Sequence, residues 1–319
     1  MKKLICVVGG GYWGMNHIRT LESLGFLGGV VDSNKNRLEE IKENFPNISV
    51  FNSLQSSLSS NQFSAFVVAT PAETHYDIAS KIIDHKFHVL VEKPLSLSVM
   101  HAQDLLEKSK ANNVNLMVGH VLLFHPAIIK IKELIMDGHL GNVQYIYSNR
   151  LNLGQVRTQE NVFWSLAPHD ISIFQYFMEE YPVKIKTHGS DILQKGIQDS
   201  TITVMEYMNN VKSHIFVSWL HPFKEHRLVV VGSEAMVSYE DSNDDKQLKL
   251  YQKKFEINDN ISKKIDGPVK NIPYENQLPL TEELKYFINH LDGKKLEKCN
   301  AEHALEVTKI LVDASRQLI

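Results

Sequence analysis

This 319-residue chain lacks most of the features that would place it in a specialised class. Its two cysteines, Cys6 and Cys299, are too few to build a disulfide framework. No apolar run approaches the roughly 18 residues that a transmembrane helix needs. The formal net charge of −3 excludes the positive excess that is typical of nucleic-acid-binding proteins. We therefore expect no nucleic-acid partner and no membrane partner.

The N-terminus only superficially resembles an export signal. Lys2 and Lys3 precede a short apolar run, but three consecutive glycines interrupt that run and no small-residue cleavage site follows. The first strand of a domain is the better interpretation, and we expect a cytoplasmic protein.

The residues up to Asp32 carry the clearest functional pattern. An apolar run leads into Gly9-Gly10-Gly11-Tyr12-Trp13-Gly14, and a second apolar run ends at Asp32. Gly9 permits a tight turn, Gly11 lets the backbone approach a pyrophosphate, and Gly14 lets the next helix pack closely. The N-terminus of that helix, with unpaired N–H groups, attracts the same pyrophosphate. Asp32 would accept hydrogen bonds from the adenosine ribose, so the pattern predicts a dinucleotide-binding unit rather than a ligand-free glycine turn.

The rest of the chain changes its periodicity partway along. Strand-like and helix-like segments alternate over about the first 120 residues, which predicts a doubly wound parallel sheet. From Val143 onward, strand-like alternation over residues 201–207, 213–219 and 228–231 indicates an antiparallel sheet, preceded by a helix at 167–178. The lysine-rich residues 241–271 are interpreted as edge strands and solvated loop, and helices are predicted at 280–290 and 301–318.

Polar residues follow the ends of two predicted parallel strands. Thr70 and Pro71 end one strand, with His75 just inside the next helix, and Glu92-Lys93-Pro94 ends another. Ligands bind at the carboxyl ends of such strands, so these residues are candidates for cofactor contact. Burial beside a cationic nicotinamide ring would favour a neutral Lys93 amine, which suits proton transfer from a hydroxyl. A surface lysine paired with Glu92 is the alternative.

Three motifs follow one another in the order and spacing of a known family. They are the glycine motif with Met15-Asn16-His17, Ala69-Thr70-Pro71 with His75, and Glu92-Lys93-Pro94. Together they resemble the Gfo/Idh/MocA oxidoreductase family, and the resemblance extends to the last helix. It implies an α/β fold with an N-terminal Rossmann domain over residues 1–120. A C-terminal α/β domain with a large open antiparallel sheet is implied over residues 121–319, its last helix a candidate to pack back on the first domain.

The same resemblance implies two catalytic residues. Lys93 would lie at the reacting carbon, and its peptide bond to Pro94 would be cis. The second residue is His169, on a helix of the C-terminal domain. Ser165 stands where many members have an aspartate, and Asp170 faces elsewhere because it is the next residue on the helix. A capping residue on a core helix is the alternative for His169.

A segment rich in hydrogen-bond donors precedes that helix. Arg150 and Arg157 each present a planar fork that suits a diphosphate, and Asn152 and Trp164 lie nearby in the sequence. A polar loop with ordinary surface arginines is the open alternative. Residues 163–170 resemble the branch of the family that includes UDP-N-acetylglucosamine 3-dehydrogenases, which oxidise the 3-hydroxyl of nucleotide sugars.

NAD is the expected cofactor, because a carboxylate at Asp32 repels the 2′-phosphate of NADP. Lys35 and Arg37 lie close enough in sequence to leave NADP as the less favoured choice. The residues expected to bind the cofactor are Gly9, Gly11, Tyr12, Trp13, Gly14, Asp32, Ser33, Arg37, Thr70, Pro71, His75, Glu92 and Lys93.

The substrate is expected to be a small nucleotide sugar, and no metal is expected because the histidines lack metal-binding spacing. The residues expected to bind the substrate are Lys93, His120, Arg150, Asn152, Arg157, Trp164 and His169. Large apolar residues on strands such as 213–219, together with the family resemblance, which implies that the open sheet forms the interface, predict a homodimer or homotetramer.

These observations predict an NAD-dependent enzyme that oxidises a sugar hydroxyl, with C3 of a UDP-N-acetyl amino sugar as the preferred position. An inositol or free-sugar dehydrogenase, or a keto-sugar reductase, is the alternative within the family. A non-catalytic dinucleotide-sensing protein is the alternative from another class, although a sensor would need neither Lys93 nor His169.

Overall fold

A computed structural model describes residues 3–259 and 261–318. The chain divides into two compact units. The first holds the chain up to Phe124 together with Gln277–Lys309. The second holds His125–Asn276 together with the segment that begins at Ile310. The predicted second domain covers residues 121–319, with its last helix a candidate to pack on the first domain. The segment Gln277–Lys309, which includes the first part of that helix, belongs to the first unit.

The first unit is built on a six-stranded parallel sheet with the strand order β3-β2-β1-β4-β5-β6. The strands are β1 (Ile5–Val8), β2 (Leu27–Val31), β3 (Ser49–Phe51), β4 (Ala65–Val68), β5 (His88–Glu92) and β6 (Leu116–Gly119). The central strands are short apolar runs that are buried along their length, as expected where helices cover both faces of a parallel sheet. The strand order reverses between β1 and β4, which is where such sheets bind dinucleotides.

Helices surround this sheet. They are α1 (Tyr12–Ser23), α2 (Lys35–Asn44), α3 (Leu54–Ser59), α4 (His75–Asp84), α5 (Val99–Ala111), α8 (Pro279–Ile288) and the part of α9 (Ala301–Ser315) up to Lys309. Short 3₁₀ turns cover Ala72–Thr74 and Val121–Phe124. Side chains from α9, Ala301, Ala304 and Leu305, join the hydrophobic core that includes β1, β4 and β5.

The second unit contains α6 (Pro126–Met136), α7 (Val162–Met178) and an eight-stranded sheet. The sheet has the order β14-β13-β12-β11-β7-β10-β9-β8, and only the β7–β10 pair is parallel. The strands are β7 (Val143–Leu153), β8 (Lys184–Ser190), β9 (Ser200–Glu206), β10 (Lys212–Ser218), β11 (Leu220–Gly232), β12 (Met236–Glu240), β13 (Leu248–Asn258) and β14 (Ile261–Asn271). The predicted fold class, a Rossmann domain followed by a large antiparallel sheet, is confirmed.

Helix α7 covers one face of this sheet, packing on β7, β9 and β10. It begins at Val162, five residues before the predicted start, because the Asn161 side chain caps it by accepting a hydrogen bond from the Trp164 N–H at 3.1 Å. Strand β7 includes the first part of the donor-rich segment, from Asn149 as far as Leu153. Trp219 is buried, and its indole donates to Asp199 Oδ1 at 2.6 Å.

Among the described residues, no helix combines the length and the apolar character needed to cross a bilayer.

Candidate active site

The glycine loop after β1 has the geometry that its sequence predicts. Gly9 has φ +98°, and a Cβ added there would lie 2.7 Å from the Ala69 carbonyl oxygen. A Cβ on Gly14 would lie 1.9 Å from the Gly9 carbonyl oxygen, so only glycine permits this contact between turn and helix. A Cβ on Gly11, by contrast, would meet no atom within 4 Å. The loop therefore presents open space in front of the N-terminus of α1, where a pyrophosphate fits.

Asp32, after β2, is held by three donors. Its carboxylate accepts from the Gly10 N–H at 2.8 Å, the Asn34 N–H at 2.8 Å and Arg37 Nη1 at 3.1 Å. Burial raises the pKa of Asp32, but these hydrogen bonds and the Arg37 charge outweigh it and leave the pKa below its usual value. The carboxylate is thus ionised beside exposed Ser33, which suits a ribose diol and repels a 2′-phosphate.

The loop after β4 holds Thr70 half-buried and Pro71 exposed, near the glycine turn. His75 is buried, and its Nδ1 and Nε2 lie 2.8 Å and 2.9 Å from the carbonyl oxygens of Pro94 and Thr70. Through these two contacts His75 joins the loop after β4 to the loop after β5. Its predicted contact with the cofactor stays a prediction.

Glu92, at the end of β5, is the centre of a buried hydrogen-bond network. Its Oε1 accepts from Trp13 Nε1 and lies 2.7 Å from His17 Nε2, while Oε2 accepts from the Lys93 N–H at 3.2 Å. Burial raises the pKa of Glu92, but His17, Trp13 and the Lys93 charge lower it below its usual value. Glu92 thus joins α1 to the Lys93 loop, and its predicted contact with the cofactor stays a prediction. His17 belongs to the glycine motif, but its spacing in the sequence gives no signal that it reaches the end of β5.

Lys93 is half-buried, and the Lys93–Pro94 peptide bond is cis, as the family resemblance implied. Lys93 directly follows Glu92, whose carboxylate binds Trp13 and His17. It also begins the loop in which the Pro94 carbonyl contacts His75. The exposed side chain of Tyr12 lies at the first turn of α1. Their predicted contacts with the cofactor stay predictions.

His120 follows β6 and is buried in the first unit. Neither ring nitrogen has a hydrogen-bond partner among the described residues, and the ring packs edge-on to His303 with centroids 5.2 Å apart. Burial, together with the charges of His303 and Lys93, places its pKa well below the usual value, so the ring is neutral. Its predicted contact with substrate stays a prediction.

Helix α7 of the second unit carries His169. Trp164, Ser165 and His169 are half-buried, whereas Phe163, Ala167 and Asp170 are buried. Ser165 and His169 are one turn apart and share a face of the helix, while Asp170 points to the sheet as expected for the next residue.

Arg150 is bound by a carboxylate of the same unit. Its Nε and Nη2 donate to the Asp170 carboxylate at 2.8 Å and 2.9 Å, and its side chain is 14% exposed. Its predicted contact with a substrate diphosphate stays a prediction. Arg157 is half exposed, with Nε 3.8 Å from Glu160 Oε1, and it remains a candidate.

Asn152 lies two residues beyond Arg150 on β7. Its Oδ1 is buried and has no hydrogen-bond partner among residues 3–259 and 261–318. A buried acceptor without a donor is costly, and a ligand hydroxyl would satisfy it. The part of the chain that the structure describes contains no group of three metal-ligating side chains.

Comparison with known proteins gives two family matches that follow the two halves of the chain. Residues 3–120 match the oxidoreductase family with an NAD-binding Rossmann fold, and residues 128–238 match the Gfo/Idh/MocA C-terminal domain.

Individual relatives are distant. An uncharacterised oxidoreductase from Streptococcus pneumoniae is 27% identical over 76% of this chain and 70% of its own length. A UDP-N-acetylglucosamine 3-dehydrogenase from Acidithiobacillus ferrooxidans is 26% identical over 57% of this chain and 56% of its own. A scyllo-inositol 2-dehydrogenase from Bacillus subtilis is 26% identical over 54% of each chain. The chain thus spans little more than half the length of the latter two.

The similarity in fold covers a larger part of the chain. A solved structure of the Acidithiobacillus ferrooxidans enzyme matches with a TM-score of 0.87 at 20% identity, covering 98% of this chain and 96% of that one. With both domains matched in order, the chain belongs to the Gfo/Idh/MocA oxidoreductase family, and its first domain is that family's NAD-binding Rossmann domain.

Proposed function

We propose that this protein is an NAD-dependent dehydrogenase that oxidises a sugar hydroxyl, with C3 of a UDP-N-acetyl amino sugar as the substrate position. The product would be a keto sugar, which is the form that an aminotransferase accepts. The UDP-N-acetylglucosamine 3-dehydrogenase among the relatives supports this substrate class.

The observation that carries the proposal is the arrangement around the carboxyl ends of β1, β4 and β5. Gly11 leaves open space in front of α1, Asp32 is ionised for a ribose, and Lys93 follows β5 at the same edge of the sheet. This is where a doubly wound sheet binds a dinucleotide, so Lys93 is suited to act beside the nicotinamide.

NAD, when bound, supplies the acceptor for a hydride from the sugar carbon. The chain must then take the proton of the hydroxyl, and we assign this step to Lys93 or His169, whose amine and imidazole both suit it. Asn152 would accept a hydrogen bond from a sugar hydroxyl, and Arg157 and Trp164 would bind the nucleotide part.

A panel of nucleotide sugars, inositol and free hexoses, followed by NADH absorbance, tests the reaction class. UDP-N-acetylglucosamine should be oxidised in preference to the free sugars. Substrate deuterated at C3 should react more slowly and pass its deuterium to NAD, whereas substrate deuterated at C4 should do neither. An isotope effect only at C4 would refute the assignment of C3.

An inositol or free-sugar dehydrogenase is the second candidate, because Arg150 is held by Asp170 and only Arg157 remains of the predicted clamp. Preferential turnover of inositol would favour it. NADH-dependent reduction of keto sugars alone would indicate a reductase, and NAD binding without turnover of any substrate would favour a dinucleotide sensor.

A further inference from the structure

One buried ion pair joins β7 to α7 beside His169. Besides the two hydrogen bonds from Arg150, Asp170 Oδ1 accepts the Ser148 hydroxyl at 2.6 Å. Ser148 and Arg150 are two residues apart on β7 and therefore lie on the same face of the strand. Asp170 is 1% exposed, so its charge depends on these protein donors.

Helix α7 lacks one main-chain hydrogen bond just before His169. Pro168 lies inside α7 and has no N–H to donate to the Trp164 carbonyl, which weakens the helix just before His169. After His169 in the same helix, Ser172 Oγ donates to the His169 carbonyl at 2.8 Å. The Asp170 contacts thus hold the helix to the sheet at the residue that follows His169.

We propose that Asp170, bound by Arg150 and Ser148, is a positioning residue that fixes the orientation of His169, and that Arg150 serves this contact rather than a substrate diphosphate. The proposal rests on the proposed function, in which His169 takes part in proton transfer.

The physical reason is the precision that proton transfer demands. A displacement of about 1 Å at a reacting group can lower the rate about 100-fold. A bidentate guanidinium–carboxylate pair restrains both distance and angle, and burial excludes the water that would compete for it. Although burial lowers the pKa of Arg150, the Asp170 carboxylate raises it above its usual value, so the guanidinium stays charged.

Two single variants, Asp170→Asn and Arg150→Met, test the role of the pair. Each should lower kcat about 10- to 100-fold while the KM values for NAD and the sugar substrate change less than about twofold. A rise in the KM for a nucleotide sugar in Arg150→Met alone, with kcat unchanged, would show instead that Arg150 binds substrate.

Lys132→Met is the matched control. Lys132 is also buried and also anchors α7, but at the opposite end, through the Phe177 carbonyl at 3.3 Å and Glu179 at 2.7 Å. Its loss should lower Tm because the Phe177 carbonyl loses its donor, although by less than the loss of Arg150, since Glu179 is 71% exposed and water can solvate it. Its kcat should remain within about twofold of wild type.

The double variant Asp170→Asn/Arg150→Met separates positioning from stability. Removing both charges leaves no unpaired buried ion, so Tm should recover towards wild type while kcat stays low. Recovery of kcat together with Tm would overturn the proposal, because the pair would then matter only for stability.

A readout that needs no substrate distinguishes failure of this proposal from failure of the proposed function. In protein with ¹³C-labelled histidine, the His169 ring signal, identified by its loss in His169→Gln, should shift or broaden in Asp170→Asn and stay unchanged in Lys132→Met. If the signal stays unchanged in Asp170→Asn, the positioning role is wrong, whatever substrate the enzyme uses.

Discussion

At the scale of single residues, Lys93 and His169 bear most directly on the chemistry. Lys93→Ala should lower kcat about 100-fold or more, the usual effect of losing a positioned proton-transfer group. NAD affinity, measured by titration, should change little, because the pyrophosphate and ribose contacts are predicted at the glycine loop and Asp32.

His169→Ala should also lower kcat, and the double variant should lose less than the product of the two effects if both residues act as a unit. Near-normal turnover in Lys93→Ala would contradict the catalytic assignment and return Lys93 to the role of a surface lysine.

We expect Asp32 and Arg37 together to control the choice between NAD and NADP. Arg37 is bound to Asp32 at 3.1 Å, so Asp32→Ala would free its guanidinium for the 2′-phosphate. We expect NADP to be preferred over NAD by about tenfold, and adding Ser33→Arg should strengthen the preference. Measuring the KM values for NAD and for NADP tests this preference.

The matched control is Asp32→Ala/Arg37→Ala. It should not gain affinity for NADP, but it should still lose affinity for NAD. A wild-type protein that already prefers NADP about tenfold would contradict the role given to Asp32.

Glu283 on α8 makes stability depend on pH. It is fully buried, and neither carboxylate oxygen has a partner among the described residues. Burial and the negative charge of Glu92 hold its pKa well above the usual value of 4.5. The unfolded chain releases this proton near pH 4.5, so the contribution to stability is complete below that pH and disappears as pH rises through the folded-state pKa.

Glu283→Met should therefore raise Tm by a few degrees at pH 8 and by less at pH 5, as measured by thermal unfolding at both values. Glu282→Gln, at the neighbouring and more exposed position, is the control and should keep the wild-type pH dependence. An equal effect of Glu283→Met at both pH values would show that Glu283 is ionised in the folded protein.

At the scale of an element, two glycines of the loop after β1 have different expected roles, Gly14 in folding and Gly11 in cofactor binding. Gly14→Ala places a Cβ 1.9 Å from the Gly9 carbonyl oxygen, so it should lower Tm markedly. Gly11→Ala meets no atom within 4 Å and should leave Tm nearly unchanged. It should nevertheless weaken NAD binding about tenfold or more, because the methyl group enters the space expected for the pyrophosphate.

Thermal unfolding and NAD titration of the two variants decide the point. Wild-type NAD affinity in Gly11→Ala would mean that the pyrophosphate does not approach the loop at this residue.

At the scale of the whole molecule, the second unit has an open sheet face that carries apolar side chains. On β9, Ile202 and Val204 are 45% and 36% exposed, while the alternating Thr201 and Thr203 are buried. Ile202 pairs with Phe216 on β10, so the apolar residues form a row across strands. Monomeric proteins rarely expose such a patch, and we propose that a second copy of the chain covers it in a dimer or tetramer.

Light scattering at micromolar concentration should report an oligomer, and Ile202→Asp with Val204→Lys should reduce it to smaller species. Lys81→Glu, at an exposed position on α4 of the first unit, is a charge-changing control that should leave the oligomer intact. A monomeric wild type would refute the proposal.

The sequence by itself determined the fold class, the glycine loop, Asp32 and the positions of Lys93 and His169. Each depends on local chemistry: a glycine that no other residue can replace, a strand that ends in a polar residue, and a motif with a set spacing. Short uninterrupted apolar runs such as β1 and β4 are likewise recognisable, because every residue of such a strand is buried.

Only the tertiary structure decided which side chains meet. His75 lies against the carbonyl groups of Pro94 and Thr70, and Glu92 binds Trp13 and His17, which are far away in sequence. Asp170 and Arg150 likewise pair only because β7 lies under α7. Hydrogen-bond partners on different elements depend on how those elements pack. The spacing of residues along the sequence does not reveal that packing.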